Sequence, residues 1–378
     1  MQVSNVLVIP DSFKGTMRSL EVCDIIERQI HSALPDCHVR TIPVADGGEG
    51  TVDAFLAACG GQKISASVKG PYLEPLQASF GLLPDGTAVV EVAAAAGLPL
   101  VGARKNPSLT TSYGVGQLLQ KALDHSPSRV LLALGGSCTN DGGCGLASAL
   151  GVRFYDARGQ VFLPTGGTLQ DIQAIDMTGL DSRDLATPFV AMCDVTNPLC
   201  GPSGAAHVFA PQKGADAEMV ELLDKGLLHL SGLLDSCGQD SILHLPGGGA
   251  AGGIGAAAHV FLHAQLQSGI QTLLDMVCFE ELAKKADLIL TGEGKFDSQS
   301  LGGKVIWGIA TRAKAVGTPV IVLAGDIGDD IESAYDLGVT AVLSINRIAA
   351  EYPALIHRAP DDLAKTVDTL IRLLTLSQ

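Results

Sequence analysis

The chain has 378 residues and a formal net charge of -15 at pH 7, with 47% hydrophobic and 17% charged residues. It is long enough for two domains and apolar enough to bury a substantial core. The acidic balance argues against binding to nucleic acids or anionic membranes, because such binding requires Lys and Arg to neutralise phosphates.

Short β-branched runs alternate with amphipathic segments near both ends of the chain, which is typical of an α/β protein with a buried parallel sheet. In the first part, strands are predicted at 6–9 and 39–44 and helices at 19–34 and 51–59, with Ser19 as the N-cap of the first helix. In the last part, strands are predicted at 288–290, 320–323 and 342–345 and helices at 304–316, 331–337 and 361–374. These segments predict a five-stranded, doubly wound, flavodoxin-like domain with the strand order 2-1-3-4-5.

The stretch between these two parts has a different pattern, which we interpret as a second α/β domain inserted into the first. Pro84, Asp85 and Gly86 predict a hairpin turn, and strands are expected at 130–134 and 189–192. The predicted organisation is a flavodoxin-like domain of residues 1–65 plus 280–378, and an inserted α/β domain of residues 66–279.

Two polar turns are expected to share one edge of the flavodoxin-like sheet. In that strand order, ligands bind beyond the carboxyl ends of strands one and three, where the chain reverses direction. These ends carry PDSFKG at 10–15 and TGEGKFD at 291–297. The sequence therefore predicts that both turns lie at one ligand site.

Cysteine spacing and hydropathy indicate the compartment. Nine cysteines without any C-x-x-C spacing predict reduced thiols rather than a zinc site or a disulfide framework. The first residues lack a basic segment followed by a long apolar run, so we expect no secretory signal. The most apolar window, 87–103, contains Glu91 and many Ala and Gly residues, so no membrane segment is predicted. We expect a cytoplasmic protein.

Six polar, glycine-rich stretches interrupt otherwise apolar sequence, and each follows a strand-like run. They are PDSFKG (10–15), ADGGEGT (45–51), GGSCTNDGG (135–143), CDVTNPL (193–199), GGGAAGG (247–253) and TGEGKFD (291–297). Glycine lets the backbone approach a phosphate closely, and successive N–H groups can bind an anion. One such stretch alone is often only a turn, but six of them with acids at most positions favour a catalytic cleft.

The residue types in these stretches favour phosphoryl transfer. Lys14 and Lys295 suit a phosphate or carboxylate group, whereas acids suit magnesium, which binds through one or two carboxylates plus substrate phosphates. The acids are Asp11, Asp46, Asp194, Glu293 and Asp297. In phosphoryl transfer the protein mainly positions donor and acceptor, while cations neutralise charge on the phosphoryl oxygens.

Other motifs give weaker predictions. The P-loop pattern is absent, because SQSLGGKV has Ser298 and Val305 at two required positions. GGGAAG fits G-x-G-x-x-G after a strand-like SILHL, so a nucleotide-dependent oxidoreductase stays an alternative. Its closing acid would be Asp275, which lies inside a helix-like segment. A non-catalytic small-molecule sensor is a further alternative.

Together with PQKGA at 211–215, the six stretches resemble the motif series of the bacterial glycerate kinase family, in the same order and over nearly the whole chain. The resemblance implies transfer of the ATP γ-phosphoryl group to D-glycerate with Mg²⁺, and a flavodoxin-like domain with an inserted α/β domain. It implies 2-phosphoglycerate as the product, with a 3-phosphoglycerate-forming enzyme as the alternative. The sequence departs from the family at Cys138, where alanine is expected, and at Lys295, where relatives often have arginine. The expected partner is a small-molecule substrate, and a homodimer stays open.

Site residues are predicted from the positions of these loops. The predicted catalytic residues are Lys14, Asp194 and Asp297. The predicted substrate-binding residues are Asp11, Ser12, Lys14, Asp46, Glu49 and Lys295. The predicted nucleotide-binding residues are Gly135, Gly136, Ser137, Thr139, Asn140, Asp141, Gly248, Gly249 and Gly252. The predicted metal ligands are Asp194, Glu293 and Asp297, and which acid is the base and which binds metal stays open.

Overall fold

The structure is a computed structural model of the chain, and it describes residues 3–45, 47–180, 186–236, 241–297 and 305–375. In chain order the strands are β1 Asn5–Val8, β2 His38–Thr41, β3 Gln62–Lys69, β4 Pro75–Leu82, β5 Thr87–Glu91, β6 Arg129–Ala133, β7 Arg153–Tyr155, β8 Val161–Phe162, β9 Ala174–Asp176, β10 Phe189–Met192, β11 Gln265–Gln267, β12 Leu288–Phe296, β13 Val320–Ile327 and β14 Val339–Ser344. The helices are α1 Ser19–Ala33, α2 Thr51–Cys59, α3 Ala93–Ala96, α4 Leu98–Val101, α5 Tyr113–Leu123, α6 Cys144–Ala149, α7 Ala205–Phe209, α8 Ala217–Ser236, α9 Ala250–Leu262, α10 Gly269–Met276, α11 Phe279–Ala283, α12 Val305–Val316, α13 Glu332–Leu337, α14 Tyr352–Ile356 and α15 Ala359–Thr375. None of the described helices is long and apolar enough to span a bilayer.

The chain divides into two compact units. The first comprises Met1–Asp46, Ala57–Cys59 and Ile270–Gln378, and the second comprises Gly47–Leu56 and Gly60–Gly269. These divisions differ from the boundaries near 65 and 280 expected from the sequence, and the domain boundaries stay a prediction. The predicted α/β class with parallel sheets is confirmed.

The first unit contains a five-stranded parallel sheet with the order β14-β13-β12-β1-β2. Alternate residues of β13 pack into two separate apolar clusters. Ile321 and Leu323 pack with α1 and α15, whereas Val322 and Ala324 pack with α12 and α13. Because successive strand residues point to opposite faces, the two clusters lie on opposite sides of the sheet.

The second unit contains a six-stranded sheet with the order β11-β10-β6-β5-β4-β3 and a three-stranded sheet with the order β8-β7-β9. Strands β11, β10, β6 and β5 run parallel to one another. Strand β4 pairs antiparallel with β5, and β3 pairs antiparallel with β4. Every residue of β5 is buried, as expected for a strand inside a parallel sheet covered on both faces. Residues 83–86 form the predicted turn between β4 and β5.

Strand β12 is longer than the predicted strand at 288–290, because the polar turn after it remains paired with β13. Lys295 pairs with Asp326 and Phe296 pairs with Ile327. Glycine permits this approach, since a Cβ built on Gly292 would stand only 2.2 Å from the carbonyl oxygen of Leu323 in β13. Much of the TGEGKFD stretch is therefore strand.

Ser19 is the first residue of α1 and not its N-cap, which is Arg18. Its Oγ donates to Pro10 O at 2.7 Å and accepts from Val44 N at 2.8 Å. The predicted capping role is wrong because this hydroxyl instead joins the chain leaving β1 to the chain leaving β2.

Candidate active site

The segments that follow the pairing of β1 with β12, residues 10–15 and 291–297, lie side by side, and we call them the strand-end turns, although most of 291–297 still pairs with β13 as strand. Asp11 N donates to Gly292 O at 2.8 Å. A Cβ built on Gly294 would stand 3.2 Å from Lys14 N. Because β1 and β12 are parallel neighbours, both turns leave the same edge of the sheet, as expected from the strand order.

The first of these turns is held by a buried aromatic ring. Phe13 is buried in the apolar cluster of the first unit, and its N–H and C=O pair with Met17 O and N at 2.9 and 3.0 Å. Gly15 adopts a φ of +77° that closes the turn. The anchored ring leaves its neighbour Lys14 exposed, so the cation is presented at the strand end.

Asp11 and Ser12 lie at the start of the same turn. Asp11 is buried, and its Oδ1 accepts from Ser12 N at 2.6 Å. This bond fixes the carboxylate against the backbone, so the predicted substrate-binding pair belongs to one rigid turn.

The second strand-end turn carries Glu293, Lys295 and Asp297. Lys295 Nζ lies 3.2 Å from Asp297 Oδ2, with the Asp297 side chain 21% exposed and the Lys295 side chain 60% exposed. Among the described residues, no three His, Cys, Asp or Glu side chains are close enough to hold a metal by themselves. Magnesium usually binds through one or two carboxylates and completes its shell with water and phosphate oxygens. The donor set therefore fits magnesium delivered together with a phosphorylated substrate.

Asp194, the third predicted metal ligand, belongs to the second unit. It is exposed, and its Oδ1 accepts from Ser268 Oγ and from Gly269 N, both at 2.9 Å. A carboxylate near the N-terminus of α10 stabilises that helix end. Asp194 Oδ1 thus has a structural role, whatever else the side chain binds.

Four of the polar stretches of the second unit pack backbone to backbone. We call them the glycine-loop cluster: residues 47–50, 135–143, 193–199 and 247–253. Gly135 N donates to Gly47 O at 2.7 Å, and Gly249 N donates to Asn197 O at 3.0 Å. A Cβ built on Gly135 would stand 2.5 Å from Gly48 N. Side chains at these contacts would separate the loops, which is why glycine occupies them.

The GGGAAGG stretch packs directly on the GGSCTNDGG stretch. Gly142 N donates to Gly252 O at 3.0 Å, and a Cβ built on Gly252 would overlap Thr139 O at 2.0 Å. Ala251, Gly252 and Gly253 all have left-handed φ values of 54, 70 and 96°. Although these residues stand at the beginning of α9, regular helix starts only after them.

The other predicted site residues in these loops include two glycines and two acids. Gly136 has a φ of +71°, and its carbonyl accepts from Leu98 N at 2.9 Å, while Gly248 N donates to Leu245 O at 2.9 Å. Glu49 is exposed. Asp46 lies outside the described residues.

Asp141 is fully buried, and its carboxylate is held entirely by neighbouring loop residues. Ser112 donates from N and Oγ at 2.7 and 2.8 Å, and Gly143 N and Gly145 N donate at 3.2 Å each. Burial raises the pKa of Asp141 despite these donors. Its side chain ties the loop to the start of α5, a partner that the sequence pattern did not reveal.

Lys213 contacts the glycine-loop cluster from outside, and the sequence prediction missed it. It is 2% exposed, and its Nζ donates to Ser137 Oγ at 2.9 Å and to Thr139 O at 2.7 Å. Burial lowers the pKa of Lys213 to about 8. The sequence feature that could have identified Lys213 is the PQKGA stretch. This stretch contributed to the family resemblance, but no role was predicted for its lysine.

Glu91 is a second missed residue. It is 7% exposed, and its Oε1 accepts from Val52 N at 2.5 Å. Burial raises the pKa of Glu91. The signal was an acid inside the most apolar window of the chain, and the structure shows that it holds the first turn of α2 just after Glu49.

The dinucleotide-binding alternative is not favoured by the local structure. Residues 241–249 form turns and coil, so the strand that must precede a G-x-G-x-x-G loop does not form from SILHL. Asp275, the acid that would contact the ribose, instead pairs with Arg312 at 2.6 Å.

The protein is an α/β protein with glycine-rich loops at the carboxyl ends of parallel strands. A lysine follows one of these strands, and acids lie on the neighbouring one. These features are typical of enzymes that act on phosphorylated small molecules. The sequence model of the Glycerate kinase family matches residues 6–375. The chain belongs to this family of kinases.

Individual relatives agree with this assignment. The chain is 44% identical over 342 residues to the Glycerate kinase of Bacillus subtilis (strain 168), covering 90% of each chain. It is 43% identical over 342 residues to the Glycerate 2-kinase of Escherichia coli (strain K12), again covering 90% of each. A crystal structure from Salmonella typhimurium LT2, provisionally named glycerate kinase 2, matches with a TM-score of 0.86 and 39% identity, over 99% of this chain and 98% of that one.

Proposed function

We propose that the protein transfers the γ-phosphoryl group of ATP to D-glycerate and forms 2-phosphoglycerate in the presence of Mg²⁺. The observation that carries this proposal is the side-by-side placement of the strand-end turns, with Lys14 on one and Glu293, Lys295 and Asp297 on the other. The name of the Escherichia coli relative, Glycerate 2-kinase, supports the position of the new phosphate.

The strand-end turns would bind the acceptor. Lys14, with the N–H groups around it, would hold the carboxylate of glycerate or the phosphoryl group in transfer, and Asp11 and Ser12 would fix the orientation of that turn. A positioned carboxylate would accept the proton of the attacking hydroxyl. Asp297 and Asp194 are the candidates for this base.

Bound magnesium would neutralise charge on the phosphate oxygens. Glu293 and Asp297 are the proposed metal ligands of the first unit, and the metal role predicted for Asp194 stays a prediction. Lys295 carries an ammonium group where relatives often have the guanidinium of arginine. Its hydrogen bonds to phosphate or carboxylate would therefore lack the bidentate geometry of arginine.

The glycine-loop cluster would hold the nucleotide phosphates. Support comes from the close packing of these loops, in which a Cβ on Gly135 or Gly252 does not fit, because glycine-rich loops let the backbone approach a phosphate closely. The buried carboxylate of Asp141 would act by shaping this loop.

We further propose a flavodoxin-like, doubly wound arrangement for the first unit. Support comes from the strand order β14-β13-β12-β1-β2 and from apolar clusters on both sides of the sheet. The division into 1–65 plus 280–378 and 66–279 is retained as a proposal. A cytoplasmic location is supported by the eight described cysteines, all of them free thiols.

The proposal is tested by ADP release with D-glycerate, ATP and Mg²⁺. Turnover should require all three and should stop when the metal is chelated. Absence of glycerate-dependent ADP release from protein that is folded and binds ATP would contradict the proposal. A 3-phosphoglycerate product would leave the kinase activity intact and overturn only the position of the phosphate.

A further inference from the structure

We propose that Lys213, with the side chains of Thr139 and Asn140, forms the anion-binding centre of the glycine-loop cluster and takes a phosphate group of the nucleotide. This inference rests on the proposed function and adds to it a cation that lies outside the glycine-rich stretches. It is carried by the unpaired buried side-chain atoms of Thr139 and Asn140 and by the hydrogen bonds that hold the lysine against Thr139 O and Ser137 Oγ.

Thr139 and Asn140 have buried polar atoms without partners. Both residues are 0% exposed. Among the described residues, three of their side-chain atoms neither donate nor accept a hydrogen bond: Thr139 Oγ1, Asn140 Oδ1 and Asn140 Nδ2. Leaving such groups unpaired inside a protein is costly, and native structures nearly always pair them with protein, water or ligand. Two adjacent residues with this property indicate a polar ligand.

Lys213 supplies positive charge at the same place. Its Nζ donates to Thr139 O and Ser137 Oγ, which uses two of its three N–H groups. Within the described part of the chain, no carboxylate lies within 4.0 Å of this ammonium group. A buried cation without an ion-pair partner is stabilised by an anion that binds beside it.

The donors at this centre match a phosphate group. The third N–H of Lys213, Thr139 Oγ1 and Asn140 Nδ2 can all donate to phosphate oxygens. Asn140 Oδ1 remains as an acceptor for a water or for a hydroxyl of the nucleotide. Lysine is the point charge that commonly binds phosphate in nucleotide sites.

The charge of this lysine depends on pH near neutrality. Burial lowers the pKa of Lys213 to about 8, opposed by the carboxylate of Asp141. The Cys138 thiol stays protonated in this range, because burial raises its pKa to about 12. Anion binding should therefore weaken as the pH rises past the pKa of Lys213, whereas an arginine at this position would keep its charge.

The test measures binding of ATP and of inorganic tripolyphosphate, both without metal, to the full chain by calorimetry. Lys213→Met should weaken both ligands by about ten- to a hundredfold, the range of one charge-assisted hydrogen bond. Lys225→Met, which removes an exposed lysine on α8, should change neither. Asn140→Ala should weaken both ligands as well.

A merely structural lysine is distinguished by the pH profile. The affinity of the wild type for ATP should fall by about tenfold from about pH 7 to about pH 9, while Lys213→Arg should bind with a flat profile. Wild-type affinity that does not depend on pH, or Lys213→Met that is folded and binds as the wild type does, would overturn the proposal. If Lys213→Met does not fold, the wild-type profile and Asn140→Ala still decide it.

The outcomes also separate this inference from the proposed function. Tripolyphosphate binding does not require glycerate. Loss of binding in Lys213→Met from a protein that does not phosphorylate glycerate would support the anion site alone. Glycerate-dependent ADP release with unaltered binding in Lys213→Met would support the kinase activity alone.

Discussion

Lys14 is the cation that the fold presents at the end of β1. Its side chain is exposed, while the turn that carries it is fixed by the buried ring of Phe13. Lys14→Ala should lower kcat/KM by about a hundredfold or more, about 2.7 kcal/mol of transition-state stabilisation. The measurement is steady-state ADP release with D-glycerate as the varied substrate.

The matched control for this variant is Lys284→Ala. Lys284 is also exposed, and its Nζ pairs with Glu281 at 2.9 Å. An exposed pair of this kind contributes little to stability, so neither activity nor the unfolding midpoint should change. Activity of Lys14→Ala within a few-fold of the wild type would remove Lys14 from the site.

Asp141 illustrates a predicted ligand-binding residue whose side chain serves the loop itself. Asp141→Asn places an amide N–H₂ where a carboxylate oxygen accepts from a backbone N–H, such as that of Gly143 at 3.2 Å. One buried donor is then left unpaired, which should cost about 1–3 kcal/mol in the free energy of unfolding. Urea denaturation measures this loss.

Asp156→Asn provides the comparison. Asp156 is partly exposed, and it accepts from Arg158 N at 2.8 Å and Gln160 N at 2.9 Å in a hairpin turn. Water can satisfy donors at an exposed turn, so this change should cost only a few tenths of a kcal/mol. Equal costs for the two variants would show that the bonds of Asp141 are not what holds the loop.

At the scale of elements, Glu91 joins the end of β5 to the first turn of α2. Burial raises the pKa of Glu91 above its ordinary value of 4.5, so the unfolded chain releases this proton at lower pH than the folded protein does. The stability contributed by Glu91 is therefore greatest below about pH 4.5 and is lost as the pH rises through the folded pKa. Glu91→Gln removes this titration, so the free energy of unfolding of the wild type minus that of the variant should fall from about pH 4 to about pH 7.

Urea denaturation of both proteins across this range tests the prediction. Glu281→Gln should give a difference that does not fall with pH, because the hydrogen bond from Lys284 lowers the pKa of Glu281 and an exposed pair contributes little to stability. A wild-type minus Glu91→Gln difference that is constant with pH, or that rises, would contradict the buried position of Glu91.

The contact between the GGGAAGG stretch and the GGSCTNDGG stretch depends on glycine at position 252. Gly252→Ala combines a left-handed φ of +70° with a Cβ at 2.0 Å from Thr139 O. We expect a loss of about 3 kcal/mol or more in the free energy of unfolding.

Gly232→Ala is the matched control, because it makes the same substitution at a glycine that has space for a Cβ. Gly232 lies inside α8 with no heavy atom within 4 Å of a built Cβ. Alanine there should stabilise the protein by up to about 1 kcal/mol, since it favours helix. Similar stability changes in the two variants would mean that the two loops are not packed as described.

At the scale of the whole molecule, alternation of buried strands and amphipathic helices was enough to predict the α/β class. The strand Phe189–Met192 and the helix Thr51–Cys59 were predicted at their observed bounds. Strand β3 was not predicted, because its residues are mostly polar or small and pair on one side only. Propensity cannot place a strand whose stability comes from a neighbour along the sheet.

The site was predictable only where strand ends bring short stretches together. The strand-end turns could be expected to meet because β1 and β12 are adjacent in a 2-1-3-4-5 sheet. Lys213 could not be placed in this way, since it lies 76 residues from Ser137 and 74 residues from Thr139. Its burial results from packing of loops, which carries no periodic signal in the sequence.

We propose that this member of the glycerate kinase family phosphorylates D-glycerate at the 2-hydroxyl. Phosphorus NMR of the product formed from D-glycerate, ATP and Mg²⁺ tests substrate, reaction and position together. We expect the resonances of 2-phosphoglycerate and ADP in equal amounts. A spectrum with 3-phosphoglycerate as the primary product, or with ATP unchanged in the presence of folded protein, would contradict it.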